Sequence, residues 1–376
     1  MREATETEPT ASRPERLLAL TSLRAVAALA IVFGHAATVS PLSFPFPDYP
    51  FWQWVNWFFV LSGFVLHHNY AHLDDWSARG RYCLARVARI LPVHLATFLL
   101  LVIALPAYGR TGLDRGLLVV TNLTLVQSWS PDPECYFSFN SPAWSLSVEV
   151  FLYACFPLLV WQWRRAWWVA LPLALFLRLK LPGWRSHAEV YPPTYLFEFT
   201  LGVAAASVHR WLAPRIALSG PTATGLELLA LGLLLHVQLY PPALMPHWAL
   251  VASLASAVTV LVFALRAGWL SRPLSATWLV VLGEASFALY MVHQVVLRAW
   301  LAHLKGSLDP WPFYVSYLVV SVLLALGLWR WLERPARSWI MARWPAPRDV
   351  PAEPRASPDA TRSAPGSSSG HLPAAT

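Results

Sequence analysis

Charge is scarce in this chain: only 13% of its 376 residues are Asp, Glu, Lys or Arg, about half the share of an ordinary soluble domain. A chain so poor in charge cannot cover a globular surface with polar groups, which excludes a single soluble globule. Lysine is nearly missing, with Lys180 and Lys305 the only two among 28 basic residues. Cys83, Cys135 and Cys155 stand alone, without a C-x-x-C pair, so neither a disulfide framework nor a thiolate metal site is encoded. The chain has no G-x-G-x-x-G, no P-loop and no H-E-x-x-H, which removes the common nucleotide-binding and zinc-hydrolase readings. No small-residue cleavage site follows the polar residues 1–16, so the first apolar run is expected to remain as a signal anchor.

What the chain does have is apolar sequence: 56% hydrophobic residues, with 21 Trp and 18 Phe. Runs long enough to cross a bilayer, or nearly so, number ten: 18–38, 52–70, 88–109, 144–163, 166–180, 194–212, 222–240, 248–268, 276–301 and 313–333. This predicts an all-α polytopic membrane protein of about ten transmembrane helices. An even number puts both termini on one side. With that side cytoplasmic, the inner loops hold ten basic residues against six in the outer loops, and the tails add Arg13, Arg16, Arg334 and Arg337. The net charge of +8 is therefore read as topology and not as a nucleic-acid footprint, and both termini are expected inside. The expected organisation is a cytoplasmic segment 1–17, a membrane domain 18–337 and a disordered cytoplasmic tail 338–376 rich in Pro, Ala and Ser. Residues 113–128 are apolar but short and are read as non-spanning. The tryptophans are mostly accounted for by interfacial aromatic belts.

Ionisable groups inside spans are costly, so they pair, line a cavity or work. Here they are Arg24, His35, Glu149, Glu198, Glu284 and His293, with Asn56 as an uncharged companion. Arg24 and His35 are eleven residues apart, close to three helical turns, so they share a face about 16 Å apart along the axis. Counting rise per residue from the span ends puts His35, Asn56, Glu149 and His293 in one outer-half layer. Arg86 and Arg89 are three apart at the cytoplasmic boundary, on one helical face, with the geometry of a phosphate clamp. His67, His68 and His72, followed by Asp74 and Asp75, do not read as a metal site, because only His68 and His72 share a helical face.

These residues lie in blocks that resemble the acyltransferase-3 family of membrane O-acyltransferases. SLRAVAALAIVFGH resembles its first-helix Arg-x10-His motif, on Arg24 and His35; VNWFFVLSGFVL, with Asn56 and Ser62, is similar to its second-helix motif. RVARILP matches the R-x-x-R motif on Arg86 and Arg89, and SPAWSLSVEVFLYACFPLL resembles the Trp-Ser-Leu-x-x-Glu segment, on Trp144 and Glu149. FEFTLG with Glu198, LGEASFALYMVHQ with His293, and WLERPAR resemble later blocks. The chain departs from the family pattern at Thr21, Asn56, His94 and Phe287, and Asn56 in place of the usual Asp removes a possible charge.

The resemblance implies a multi-pass enzyme of the bacterial plasma (inner) membrane. It would move a short acyl group, expected to be acetyl, from acyl-CoA to a hydroxyl of a sugar-containing acceptor, either a cell-surface glycan or a small glycoside such as a macrolide. In that reading His35, Arg24 and Glu149 are catalytic, and Arg86 and Arg89 hold the CoA phosphates. Asn56, Ser62, Trp144, Glu198 and His293 bind substrate. No metal and no permanently bound cofactor is expected. The partners are acyl-CoA, the acceptor and membrane lipid. A secondary transporter also buries charges between helices, but it more often shows inverted repeats and Gly/Pro-broken spans in matching halves, and neither is seen. A non-catalytic membrane partner is the remaining alternative, with the buried charges as glue between helices.

Overall fold

The computed structural model describes residues 17–37, 51–71, 73, 75–104, 114–240, 248–304 and 310–344. The N-terminal segment 1–16, the tail from 345 and the residues His72, Asp74, Arg110 and Lys305 lie outside that set. The described residues form no strand. In chain order the helices are α1 (Leu18–Ala37), α2 (Trp54–Asn69), α3 (Trp76–Ala104), α4 (Arg115–Leu123), α5 (Pro133–Tyr136), α6 (Trp144–Trp184), α7 (Leu196–Leu212), α8 (Gly220–Leu239), α9 (Trp248–Ala264), α10 (Ser271–Leu274), α11 (Thr277–Glu284), α12 (Ser286–Leu304) and α13 (Pro310–Leu328). A π-helical turn, Trp329–Glu333, leads into α14 (Arg334–Ala342).

Five helices among the described residues are long and apolar enough to cross a membrane, six if the bent pair α11 and α12 is one span. One of the five, α6, reverses direction. Its start lies by the first residues of α7, with the Trp144 ring 5.7 Å from that of Tyr195. Its middle lies at the other end of α7, where Trp163 Nε1 donates to Ser207 Oγ at 2.8 Å. Its last third is back at the start, where Arg178 Nε donates to Glu198 Oε1 at 2.9 Å. The backbone turns at Ala166, whose φ of −131° and ψ of 15° are not helical. The two apolar runs 144–163 and 166–180 are thus two antiparallel arms.

The core packs through glycine contacts. On α2 and α7, which run parallel, a Cβ on Gly63 would collide with the Phe199 carbonyl oxygen and one on Gly202 with that of Val60. Small residues let helix backbones approach without a hydrophobic drive between them. Gly283 packs α11 against the Thr21 carbonyl of α1 in the same way. The chain then bends by 61° between α11 and α12, so run 276–301 is broken. The third run also differs: α3 begins at Trp76 because Asp75 caps it, its Oδ1 accepting from Ala78 N at 2.6 Å. Arg86 and Arg89 therefore lie well inside a helix and not in a loop before it. Within segment 113–128 the described residues Arg115–Leu123 form α4, nine residues capped by Asp114, too short to cross a bilayer. Its Asn122 carbonyl accepts from His94 Nε2 at 3.0 Å, and Asn140 Nδ2 donates to the Met291 carbonyl at 3.0 Å. These bonds hold the 114–143 connection on α3 and α12.

Candidate active site

Two cavities follow one another along α1, termed inner for the one at Arg24 and outer for the one at His35. The inner one, about 140 Å³, is lined by Arg24, Ser62, Arg86, Arg89, Glu149 and Tyr153, with a greasy wall that includes Phe58, Phe59, Val65, Leu66 and Phe287. The outer one, about 540 Å³, is lined by His35, Gln53, Asn56, Trp144, Arg178, Arg185, Glu189, Thr194 and Tyr195, among others. Arg24 sits in one and His35 in the other because they share the α1 face three turns apart. Both are deep in the molecule yet half-buried, since each keeps surface open to its cavity.

In the inner cavity the two arginines of α3 are held differently. Arg89 pairs with Glu333, which is 2% exposed and lies on the π-helical turn, and its guanidinium also stands 5.2 Å above the Phe287 ring. Arg86 has no carboxylate partner among the described residues. Instead the rings of Tyr70, Tyr82 and Tyr153 surround its guanidinium at 5.6, 6.0 and 5.5 Å. Tyr82 donates to the Tyr153 carbonyl at 3.0 Å and Tyr153 donates to Glu149, which fixes this cage. Three arginines against Glu149 and Glu333 leave the inner site net positive and suited to an anion.

In the outer cavity His35 Nδ1 lies 3.0 Å from the Ile31 carbonyl. A carbonyl only accepts, so Nδ1 carries the proton and Nε2 is the basic nitrogen of the neutral ring. The His35 ring is flanked by Phe51 at 4.5 Å and by His293 at 4.9 Å. His293 is fully buried, and among the described residues no side chain hydrogen-bonds either of its nitrogens. Asn56 and Trp144 share the cavity with His35.

Glu149 does not belong to that layer. Trp144, the first residue of α6, already lines the cavity of His35, so five further residues carry Glu149 about 7.5 Å deeper, beside Arg24. Counting from the start of the apolar run placed it too high, because the 114–143 connection covers that end of the helix. Glu198 is also set apart. It is fully buried behind the outer cavity, where Arg178 and Ser253, the latter at 3.0 Å, donate to its Oε1. Glu284 ends α11 at the bend and lines neither cavity. His67 bonds Ser207 at 3.0 Å and His68 packs against Phe64 and His209, tying α2 to α7.

The model of the family described as an acyltransferase domain matches residues 17–330. The chain belongs to the acyltransferase-3 family. It is similar to Acyltransferase MdmB of Streptomyces mycarofaciens, 34% identical over 283 residues that cover 65% of this chain and 67% of the relative. No solved structure matches. The protein is thus an integral membrane acyltransferase of groups other than aminoacyl groups.

Several family blocks acquire a physical reason here. Gly63 of the second-helix block and Gly202 of FEFTLG are the two sides of one backbone contact, and Gly283 of LGEASF is the seat of α1. Glu333 of WLERPAR is the counter-ion of Arg89. Of the departures, His94 anchors α4 through its bond to Asn122, and Phe287 lies under the Arg89 guanidinium. Sequence reasoning missed Tyr153, although it stands one helical turn after Glu149, the spacing at which side chains meet. Glu227 in α8 was missed as well. It is a buried carboxylate, satisfied by the backbone N–H groups of Leu270 and Ser271 and the Ser271 hydroxyl, and is structural.

Proposed function

We propose that this acyltransferase moves a short acyl group, acetyl in the first instance, from acyl-CoA to a hydroxyl of a sugar-containing acceptor, with donor and acceptor in separate cavities. The observation that carries the reading is the division of labour along α1: a cationic inner cavity and a larger outer cavity holding His35. The CoA phosphates lie at the inner arginines, and the thioester points along α1 towards His35. The acceptor occupies the outer cavity, where Gln53, Asn56 and Thr194 offer hydrogen bonds to sugar hydroxyls and Trp144 and Tyr195 offer stacking faces.

His35 Nε2 takes the proton of the acceptor hydroxyl as its oxygen attacks the thioester carbonyl. The new C–O bond forms, the C–S bond breaks, and the departing CoA sulfur takes the proton back from the imidazolium and leaves as the thiol. His293 packs against the His35 ring and holds its orientation. Arg24 and Glu149 do not reach this proton transfer; they shape the charge of the donor cavity. With the ten apolar runs of the sequence taken as spans and both termini placed on the cytoplasmic side, the inner cavity faces the cytoplasm of a bacterial plasma membrane, where acyl-CoA is present. An acceptor arriving from outside is a cell-surface glycan or a small glycoside such as a macrolide.

The test is CoA release by the purified protein in nanodiscs, with acetyl-CoA and a panel of macrolide glycosides and alkyl glycosides, followed by mass spectrometry of the products. Acceptor-dependent release with a mass gain of one acetyl group is expected from the wild type. Its absence with every donor and acceptor would overturn the reading.

A further inference from the structure

Two residues line both cavities: Val55 of α2 and Tyr290 of α12. They form the partition between the arginine cluster and His35. Both are buried, at 5% and 9% exposure, and the tyrosine is anchored. Its hydroxyl donates to the Pro142 carbonyl at 3.2 Å, and its ring lies 5.9 Å from that of His293 and 6.4 Å from that of Phe58. Pro142 lines the outer cavity, so this bond ties the partition to the acceptor wall. Val55 immediately precedes Asn56, which faces the acceptor side.

From this arrangement we infer that Val55 and Tyr290 select the acyl group by size. The inference rests on the proposed placement of donor and acceptor. In a reactive complex the thioester carbonyl carbon stands roughly 3–3.5 Å from the attacking oxygen, and that oxygen is within hydrogen-bond reach of His35. The carbonyl must therefore lie at the outer edge of the partition while the rest of CoA remains on the inner side. The first acyl carbons, bonded to that carbonyl, lie against the valine and the tyrosine ring. A close-packed wall yields little to extra volume, and one misfitting methylene in a pocket is worth about 10- to 200-fold in kcat/KM. An acetyl group is the smallest carried by the four donors compared below. Each added carbon must find room beside Val55.

The experiment compares acetyl-, propionyl-, butyryl- and hexanoyl-CoA with the glycoside that the wild type acylates best in the panel above. The variants are Val55→Ala, Val55→Ile and Tyr290→Phe. The wild type is expected to lose at least 10-fold in kcat/KM between acetyl and butyryl donors. Val55→Ala should reduce that discrimination at least 5-fold, and Val55→Ile should sharpen it. Tyr290→Phe keeps the ring and loses the tether, so it should raise acyl-CoA hydrolysis in the absence of acceptor. Folding is checked by gel filtration, and Val55→Ala, a small truncation, carries the decision. An active wild type whose donor preference is unchanged in Val55→Ala overturns the inference alone. A wild type inactive with every donor overturns the proposed function, and the inference falls with it.

Discussion

Removing the Arg89 side chain would leave the Glu333 carboxylate buried without its cation, whereas removing Arg86 strands no carboxylate among the described residues. The two arginines, three residues apart on one face of α3, should therefore fail in different ways. Breaking a buried ion pair from one side costs about 3–5 kcal/mol, and the 17% exposure of Arg89 favours the lower end. Arg89→Ala is expected to lower the unfolding temperature in detergent markedly, and with it the yield of folded protein. Pairing it with Glu333→Gln should recover most of that loss, because the stranded charge is gone. Arg86→Ala should remain folded. Its cost falls on the donor, at about 1.5–3 kcal/mol for a charged hydrogen bond, which corresponds to a rise of roughly 10- to 150-fold in KM for acyl-CoA. Nano-format differential scanning fluorimetry and steady-state kinetics on both variants decide the matter. An Arg89→Ala protein as stable as the wild type, or an Arg86→Ala protein with KM for donor and acceptor raised equally, would refute the reasoning.

Three further outcomes are expected. His35→Ala should abolish transfer while acyl-CoA still binds by calorimetry; His293→Ala, which removes a packing neighbour of the base, should lower kcat without abolishing it, and the reverse order would move the base to His293. Gly63→Ala and Gly202→Ala should each prevent α2 and α7 from closing and deplete folded protein on gel filtration, while Gly232→Ala in α8, where a Cβ meets nothing within 4 Å, should be neutral or stabilising by up to about 1 kcal/mol. Arg178→Ala should unfold more readily than Arg178→Ala with Glu198→Gln, for the same reason as the Arg89 pair; equal midpoints would contradict the buried-charge argument.

The helices themselves were legible because apolar runs between polar interruptions have few other ways to fold. The reversal within 144–184 was legible too, since Arg164 and Arg165 interrupt the apolar sequence where the backbone turns beside them at Ala166. The break at Ala285 was not, because the 276–301 run reads as one apolar stretch; the contact that seats α11 on α1 just before it is with Thr21, which is far away in sequence. The grouping of His35, Asn56 and His293 in one layer was legible from rise per residue, and it failed for Glu149, which lies in the other cavity beside Arg24. Of the tyrosine cage on Arg86 only Tyr82, one helical turn before it in α3, had a periodic signature, since Tyr70 and Tyr153 come from other segments.

The central claim is that donor and acceptor meet from opposite sides of the protein, and sidedness in sealed proteoliposomes tests it most directly. With the protein oriented uniformly, acetyl-CoA is supplied only on the face carrying Arg86 and Arg89, and a membrane-impermeant glycoside acceptor only on the other. The account predicts acetylated acceptor on the far side, with free CoA released on the near side. Acetylation only when both substrates share the arginine face would contradict it.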